Sequence, residues 1–476
     1  MSSENRPNNG LPLEEILQAL PSEINDESPT KDPLGDLIAQ ISSRRVPVSS
    51  LTRMWALGSM QAKIAVGYLA YAMRSSFSSK DKQQELLNEA HLNAALKLIG
   101  TMGYLRGAIM KVGQLLGNLP HLVPDEIATT LERLQFEAPP MHYPLIREVF
   151  LDEFGKDPNE MFASFEKKAF AAASLGQVHR AVLHSGEQVA VKIQYPNMAA
   201  TIRSDLASLR KIVLPMKLKE EGRYIFSHLD DIESMLTAET DYSSEARMLQ
   251  QARSLFTPAD QIVVPRVWQD YSSERVLTTD YLQGCHPGKF IESAPSQAER
   301  DQIGRLITRA FLRIWDRTHT MYTDPNPGNF LILDDGRLGL IDFGSVRTLS
   351  DSEWREQVAA ENALIDGDKK ALDQVIAAAC FFDSVSEIEP ERLDMMRRLV
   401  AWQATPVYQD EPFNFADRDF YQRGMDLYIE ATRRGYLRND SLYIWWTRLI
   451  LGHRTLLYRL GSRVAYRPLY MEEKTY

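Results

Sequence analysis

The stretch Tyr322-Thr323-Asp324-Pro325-Asn326-Pro327-Gly328-Asn329-Phe330 sets Asp324 and Asn329 five residues apart, and Asp342-Phe343-Gly344 begins thirteen residues after Asn329. Two apolar runs, Phe330-Leu331-Ile332-Leu333 and Leu338-Gly339-Leu340-Ile341, lie between them and read as strands. A D-F-G tripeptide alone recurs by chance. D-x-x-x-x-N followed by two short strands and a second Asp is far more specific. The competing reading is a polar turn beside an ordinary β-hairpin.

Upstream, Val189-Ala190-Val191-Lys192 ends another strand-like run, preceded by Ala171-x-Ala173-x-x-Gly176-x-Val178. Protein kinases space a catalytic-loop Asp and Asn, a D-F-G, a V-A-I-K lysine and a G-x-G-x-x-G-x-V loop in the same order. There the loop Asp orients the attacking hydroxyl, and the Asn and the later Asp hold Mg²⁺ on the ATP phosphates. Here alanines replace the first two glycines of the phosphate loop. Alanine restricts both positive φ and close backbone approach, so the loop should be stiffer and grip ATP differently. Lys192 alone would read as a surface lysine at a strand edge.

A lysine so placed calls for an acidic partner on a helix. Glu239-Thr240-Asp241-Tyr242-Ser243-Ser244-Glu245 offers three carboxylates. In continuous helical geometry Asp241 and Glu245 are i, i+4 neighbours on one face, with Glu239 offset. The plain alternative is a solvated acidic face. Val276-Leu277-Thr278-Thr279-Asp280-Tyr281-Leu282-Gln283-Gly284 resembles a kinase hinge, with the backbone at Asp280 and Leu282 directed at the adenine edge.

Composition sets the outer limits. The 476 residues are 44% hydrophobic and 25% charged, ordinary for a globular chain of two or three core-forming units. A formal net charge of −10 argues against a general nucleic-acid binder. Cys285 and Cys380 lie far apart without metal-ligand neighbours, which fits a reducing compartment and no disulfide framework. The first 33 residues lack the basic and apolar regions of a secretory signal. The run Trp55 to Met73 carries Lys63 near its middle and is expected to be a packed or interfacial helix rather than a span. Leu442 to Leu460, interrupted by Arg448, His453, Arg454 and Arg459, is expected to be a soluble helix.

Along the chain, residues 1–45 read as a polar tail and 46–140 as a helical extension. Residues 141–282 read as a strand-rich lobe with a helical insertion, and 283–476 as a helical lobe. Expected elements include helices at Tyr143–Phe154, Met198–Leu218 and Leu229–Leu255. Expected strands run Phe165–Phe170, Val178–Leu183, Gln188–Gln194, Val263–Trp268 and Arg275–Tyr281, with Ser185-Gly186 as a hairpin turn. Ser350-Asp351-Ser352-Glu353 reads as a helix start. The class is α+β and two-lobed.

Together these motifs resemble the UbiB (AarF-type) atypical protein-kinase-like family, whose eukaryotic members act in coenzyme Q biosynthesis. Lys111-Val112-Gly113-Gln114 matches its K-x-G-Q motif, Ala171-Ala172-Ala173-Ser174 its alanine-rich loop and Glu239-Thr240-Asp241 its E-x-D motif. The resemblance covers roughly residues 45–460. It implies a kinase-like fold with the helical N-terminal extension packed over the active site. It implies ATP binding by Ala171, Ala172, Ala173, Ser174, Gly176, Val178, Lys192, Asp280 and Leu282. Lys192 would pair with Glu245, Asp324 would be catalytic, and Asn329 and Asp342 would bind Mg²⁺. Lys111, Gly113 and Gln114 would lie over the site, with Lys111 against Glu239 and Asp241.

The departures from ordinary kinases matter. Tyr322-Thr323 replaces the usual His-Arg, and no A-P-E follows the D-F-G, so the activation segment is very short. The expectation is an atypical kinase or ATPase using ATP and Mg²⁺, not a conventional protein kinase, in isoprenoid-quinone or related lipid metabolism. The alternative is a nucleotide-gated scaffold or lipid-handling protein. Implied partners are the nucleotide, quinone precursors or other lipids, quinone-biosynthesis enzymes and a peripheral membrane contact, with no nucleic acid. The expected location is cytoplasmic, at the inner face of the membrane.

Overall fold

The computed structural model describes residues 141–173, 175–196, 198–213, 233, 236–380, 382–437 and 441–475. The helices expected before residue 141, including the one ending in Lys111-Val112-Gly113-Gln114, lie outside the described residues, as does Ser174. The first lobe opens on α1 (Tyr143–Phe154), with a proline at its start and Gly155 as a left-handed cap at φ 67°. Its apolar face, Ile146, Val149 and Phe150, packs on a five-stranded sheet.

That sheet is built from β1 (Ser164–Phe165), β2 (Ala171–Ala173), β3 (Gly176–Val182), β4 (Gln188–Gln194) and β6 (Val276–Asp280). The order is β1-β3-β4-β6, with β2 also paired to β3, and all pairings are antiparallel. The β3–β4 hairpin turns at Gly186, whose φ of 99° suits glycine. Period-2 alternation then separates two faces of β4. Val189, Val191 and Ile193 are fully buried in the core, so Lys192 projects from the opposite face.

Three expected elements are corrected. The strand Phe165–Phe170 divides into β1 and β2, because the intervening Glu166 to Lys168 are exposed or off the ladder. The strand Val263–Trp268 shrinks to β5 (Ile262–Val263), which leaves this sheet and pairs in parallel with β10 (Leu338–Leu340). Pro265 follows, and only Val267 returns to bridge Thr279. The helix Leu229–Leu255 is broken: Glu239-Thr240 forms a turn, Asp241 is extended, and α3 begins at Tyr242 and runs to Ser254. It follows α2 (Met198–Val213) in the chain.

The second lobe follows β7 (Gly284–Cys285) and α4 (Pro287–Glu292). Its axis is α5 (Gln297–Thr318), started by a Ser296/Glu299 capping box. Ile303, Leu306, Ile307, Ala310, Phe311 and Ile314 recur at helical spacing and fill the main core. β8 (Thr320–Tyr322) pairs with β11 (Val346–Thr348), and β9 (Phe330–Leu333) forms a hairpin with β10. The sheet order is β5-β10-β9-β7.

Ser350 and Glu353 make the expected capping box of α6 (Asp351–Asp366). The chain continues through α7 (Lys369–Ala379), α8 (Pro390–Ala404), β12 (Phe413–Asn414), α9 (Arg418–Arg433), α10 (Ser441–Leu460), β13 (Arg463–Val464) and α11 (Tyr466–Glu473). These helices enclose a second core. α10 lies between the two cores: Leu449, Leu456 and Leu460 enter the first, Leu451 and Leu457 the second. Arg448, His453 and Arg454 on α10 are buried, which a solvent-washed helix would not show. No helix among the described residues is long and apolar enough to cross a membrane.

Candidate active site

Strand β4, helix α3 and the segment after β10 bring three charged groups, Lys192, Glu245 and Asp342, into contact. Lys192 on β4 points off the core face, and Glu245 sits in the first turn of α3. The Lys192 Nζ lies 2.8 Å from each oxygen of Glu245 and 3.0 Å from Asp342 Oδ2. Its Nζ also stands 4.9 Å from the centre of the Tyr242 ring. Asp342 Oδ1 accepts from the Gly344 N–H at 2.9 Å, and Glu245 Oε1 from Phe343 N–H at 3.4 Å.

Two carboxylates thus share one ammonium in a site where Glu245 is 3% exposed. Burial and then the Asp342 charge push the Glu245 carboxyl up to about 7, against the pull of Lys192. Burial alone would lower Lys192, but the paired carboxylates outweigh it and hold the ammonium well above its ordinary range. Lys192 is therefore firmly charged, and the surplus negative charge falls on the carboxylates.

The correction at Asp241 bears on this site. Its side chain does not lie beside Glu245 on a helical face. It is the N-cap, and its Oδ1 accepts from Ser243 N–H at 2.9 Å and Ser244 N–H at 3.2 Å. The cap starts α3 one turn before Glu245 and so fixes where that carboxylate stands.

The catalytic-loop motif joins this charged cluster through short-range pairing. Leu340 pairs with Phe330, and the Ile341 N–H bonds Asn329 O at 3.1 Å, so the hairpin brings Asn329 beside the strand that leads to Asp342. Asn329 Nδ2 donates to Asp324 O at 2.8 Å and to Asp324 Oδ2 at 3.3 Å. Its amide oxygen is thereby the end available to a cation. Among the described residues no group of three His, Cys, Asp or Glu could hold a metal. Asn329 and Asp342 offer two oxygen donors, a set that suits a hard ion keeping water and phosphate oxygens, such as Mg²⁺.

The unusual Tyr322-Thr323 has a visible job. The Tyr322 hydroxyl donates to Asp342 O at 2.6 Å, and burial raises its pKa well above the usual range. Thr323 Oγ1 and N–H both reach Ser345 O, at 2.9 and 3.1 Å. The pair ties the loop to the D-F-G segment from both sides.

The alanine-rich loop is a tight hairpin, with Ala171 opposite Val178, Ala172 opposite Gln177 and Ala173 opposite Gly176. A Cβ at Gly176 would overlap Ile193 O, so close strand approach alone demands glycine there. At the expected hinge the Asp280 N–H is engaged by Arg266 O at 3.0 Å. Its carboxylate accepts from Arg266 N–H at 3.1 Å and Trp268 Nε1 at 3.0 Å. Only the Asp280 carbonyl is therefore left to face a nucleotide. Leu282 packs over β10, its Cδ1 3.1 Å from where a Gly339 Cβ would stand.

Sequence reasoning missed Arg448. It lies on α10, 7% exposed, with Nη2 3.6 Å from Asp324 Oδ1. Burial lowers its pKa, while Asp324 and the buried Glu239 both favour its charge. The available signal was a set of cations, Arg448, His453, Arg454 and Arg459, in a mainly apolar helix, and nothing in their spacing singles out Arg448. Lys111, Gly113 and Gln114 lie outside the described residues.

Residues 133–376 match the model of the ABC1 atypical kinase-like domain. The atypical kinase COQ8, mitochondrial, of Schizosaccharomyces pombe is 34% identical over 309 residues, 64% of this chain and 50% of that protein. The atypical kinase COQ8B, mitochondrial, of Rattus norvegicus is 31% identical over 377 residues, 78% of this chain and 70% of that protein. The chain thus spans about half the length of the fission-yeast relative. The solved complex of Rv3197 with erythromycin from Mycobacterium tuberculosis aligns with a TM-score of 0.54 at 25% identity, over 83% of this chain and 98% of that one.

Proposed function

The chain belongs to the ABC1 atypical kinase-like family, the UbiB group that includes the COQ8 kinases, and from that premise we propose that it binds Mg-ATP and transfers or hydrolyses its γ-phosphoryl group in support of isoprenoid-quinone metabolism. The observation that carries this reading is the contact of Lys192 with both Glu245 oxygens and Asp342. A charged lysine fixed in this way is an electrostatic holder for phosphates.

In this reading Lys192 binds the α and β phosphates and Glu245 fixes its position. Asn329 and Asp342 hold the magnesium ion, which would neutralise charge on the phosphates. Asp324 orients the attacking hydroxyl or water, and Arg448 and Asn329 hold Asp324. The backbones of Ala171 to Ala173 and of Asp280 and Leu282 line the nucleotide. Lys111 covers the site from the extension. Asp241 spends Oδ1 on its own helix start and keeps Oδ2 on a half-exposed side chain, so Glu239 and Asp241 both remain the proposed partners of Lys111.

A second reading, a nucleotide-gated scaffold, is favoured by Ala171 and Ala173 at positions where phosphate loops use glycine. One experiment separates the two. ATP turnover is measured on the full chain with Mg²⁺, alone and with a phenolic quinone-precursor mimic or anionic liposomes. Phosphate release or γ-phosphate transfer supports an enzyme. Nucleotide binding without turnover supports the scaffold, and no binding sinks both.

A further inference from the structure

The helix that carries Glu245 is gripped at its far end by a guanidinium from another lobe. α3 ends at Ser254, where Leu255 N–H closes the last turn on Ala252 O and the backbone carries the negative end of the helix dipole. Arg313, on α5, donates from Nη1 to Leu255 O at 3.3 Å and to Asp260 Oδ1 at 2.7 Å. Its carbon Cζ stands 5.4 Å from the centre of the Phe256 ring.

The other edge of that guanidinium belongs to the C-terminal segment. Glu473, the last residue of α11, takes Nε and Nη2 of Arg313 in a fork, 2.7 Å each. Such planar two-point pairing fixes orientation as well as distance. The Glu473 side chain is 3% exposed, and Arg309 adds an ion contact of 2.9 Å to it. Two residues on, the Thr475 N–H bonds Asp316 Oδ1 at 3.0 Å, which pins the segment beyond the fork.

The same node touches both halves of the candidate site. Through Leu255 it holds α3, and Glu245 lies ten residues back, about 15 Å along the helix. Through Asp260 it holds the turn before β5, whose partner β10 runs into Ile341-Asp342. A second arginine reinforces the link, since Arg253 Nη1 on the last turn of α3 donates to Val264 O at 2.6 Å. Glu473 also offsets crowded positive charge. Arg305, Arg309 and Arg313 recur at four-residue spacing on α5, and Arg305 is held below its ordinary pKa by burial and then by Arg309.

Resting on the reading of Lys192 and Glu245 as the nucleotide-site pair, we propose that Arg313 is a positioning residue for it. Glu473 presses the Arg313 guanidinium against the end of α3, and the C-terminal segment thereby sets where Glu245 stands relative to Lys192 and Asp342.

The test uses Glu473→Gln in the full chain, which keeps the shape of the side chain and removes its charge. Asp260→Asn loosens the same guanidinium from the other side and serves if the first variant does not fold. Mg-ATP affinity, thermal stability and hydrogen exchange of amides 243–255 are measured for each, and again in a Glu245→Gln background. The expected result is an Mg-ATP affinity weaker by about 3- to 10-fold and faster exchange across α3. No further loss of affinity should appear once Glu245 is already Gln. An unchanged affinity in a folded variant overturns the proposal, and so does a loss that simply adds to that of Glu245→Gln. If the wild-type chain binds no Mg-ATP, the nucleotide reading fails by itself. Faster exchange at residues 243–246 in Glu473→Gln then still upholds the mechanical link, and unchanged exchange overturns it.

Discussion

Gly452 on α10 meets Pro325 of the D-P-N-P-G-N loop with no room for a side chain, since a Cβ built on Gly452 would overlap Pro325 Cγ. One turn earlier on the same helix, Arg448 reaches Asp324. Four-residue spacing thus places a cation and a gap under consecutive loop residues. The loop that carries Asp324 rests on a helix more than a hundred residues downstream.

Gly452→Ala should therefore push Pro325 off its seat. Helix propensity favours alanine by about 1 kcal/mol, but overpacking costs about 1–3 kcal/mol, so the net effect is a modest loss of stability. ATP turnover should fall more than stability does, because Asp324 moves with Pro325. Melting temperature and kcat measured side by side check this. A variant with wild-type turnover would show that the loop is not held from below.

Asp342→Asn removes one of the two carboxylates around Lys192 and one of the two proposed Mg²⁺ donors. Mg-ATP affinity should drop while nucleotide binding in EDTA changes little, and the fold should survive because Asp342 is partly exposed. Titrations with and without metal decide it. Equal affinity for both proteins in Mg²⁺ would remove Asp342 from the metal site.

Ala173→Gly acts on the hairpin of β2 and β3. Ala173 is the last residue paired before the turn, opposite Gly176. Glycine there restores backbone freedom, so the ratio of ADP to ATP affinity should shift and autophosphorylation should become detectable by mass spectrometry. Identical affinities and no new phosphate would mean that the alanines do not restrain the nucleotide.

Stability should carry a pH signature from His179. Its ring is fully buried: Nδ1 faces Glu166 O at 2.7 Å, so it carries the proton, and Nε2 accepts from Gln177 Nε2 at 2.8 Å. A second proton would set two donors against each other. Burial lowers the His179 pKa, and burial with Arg454 lowers that of His453 well below its ordinary value. The unfolded chain then binds protons that the folded one refuses. This histidine contribution is complete above about pH 6.5 and shrinks as pH falls through the unfolded pKa. Glu245 works in the opposite direction: its folded pKa near 7 lies above the ordinary 4.5, so its contribution falls as pH rises between the two. Urea unfolding at pH 7.5 and 5.5 should show His179→Gln losing less stability on acidification than wild type. An equal loss in both would remove His179 from the account.

Much of the chain was legible because its signals are local. The bounds of α1 and β4, the Ser350/Glu353 cap and the β9–β10 hairpin each depend on residues within one or two turns of each other. The spacing of Asp324, Asn329 and Asp342 was legible for the same reason, because one hairpin connects them.

The tertiary structure decided what local pattern left open. Asp241 to Glu245 scans well as continuous helix, yet the chain restarts at Tyr242, whose ring is buried in the core beside Lys192. Ile262-Val263 had the composition of a strand in either sheet, and only packing against β10 assigned it to the second. Arg448 and Gly452 meet Asp324 and Pro325 across more than 120 residues, a separation over which no periodicity carries information. Local propensity and capping energies name the elements and the chemistry of the motifs. Which buried charge faces which carboxylate is set by the fit of whole helices, and that is fixed only when the cores close.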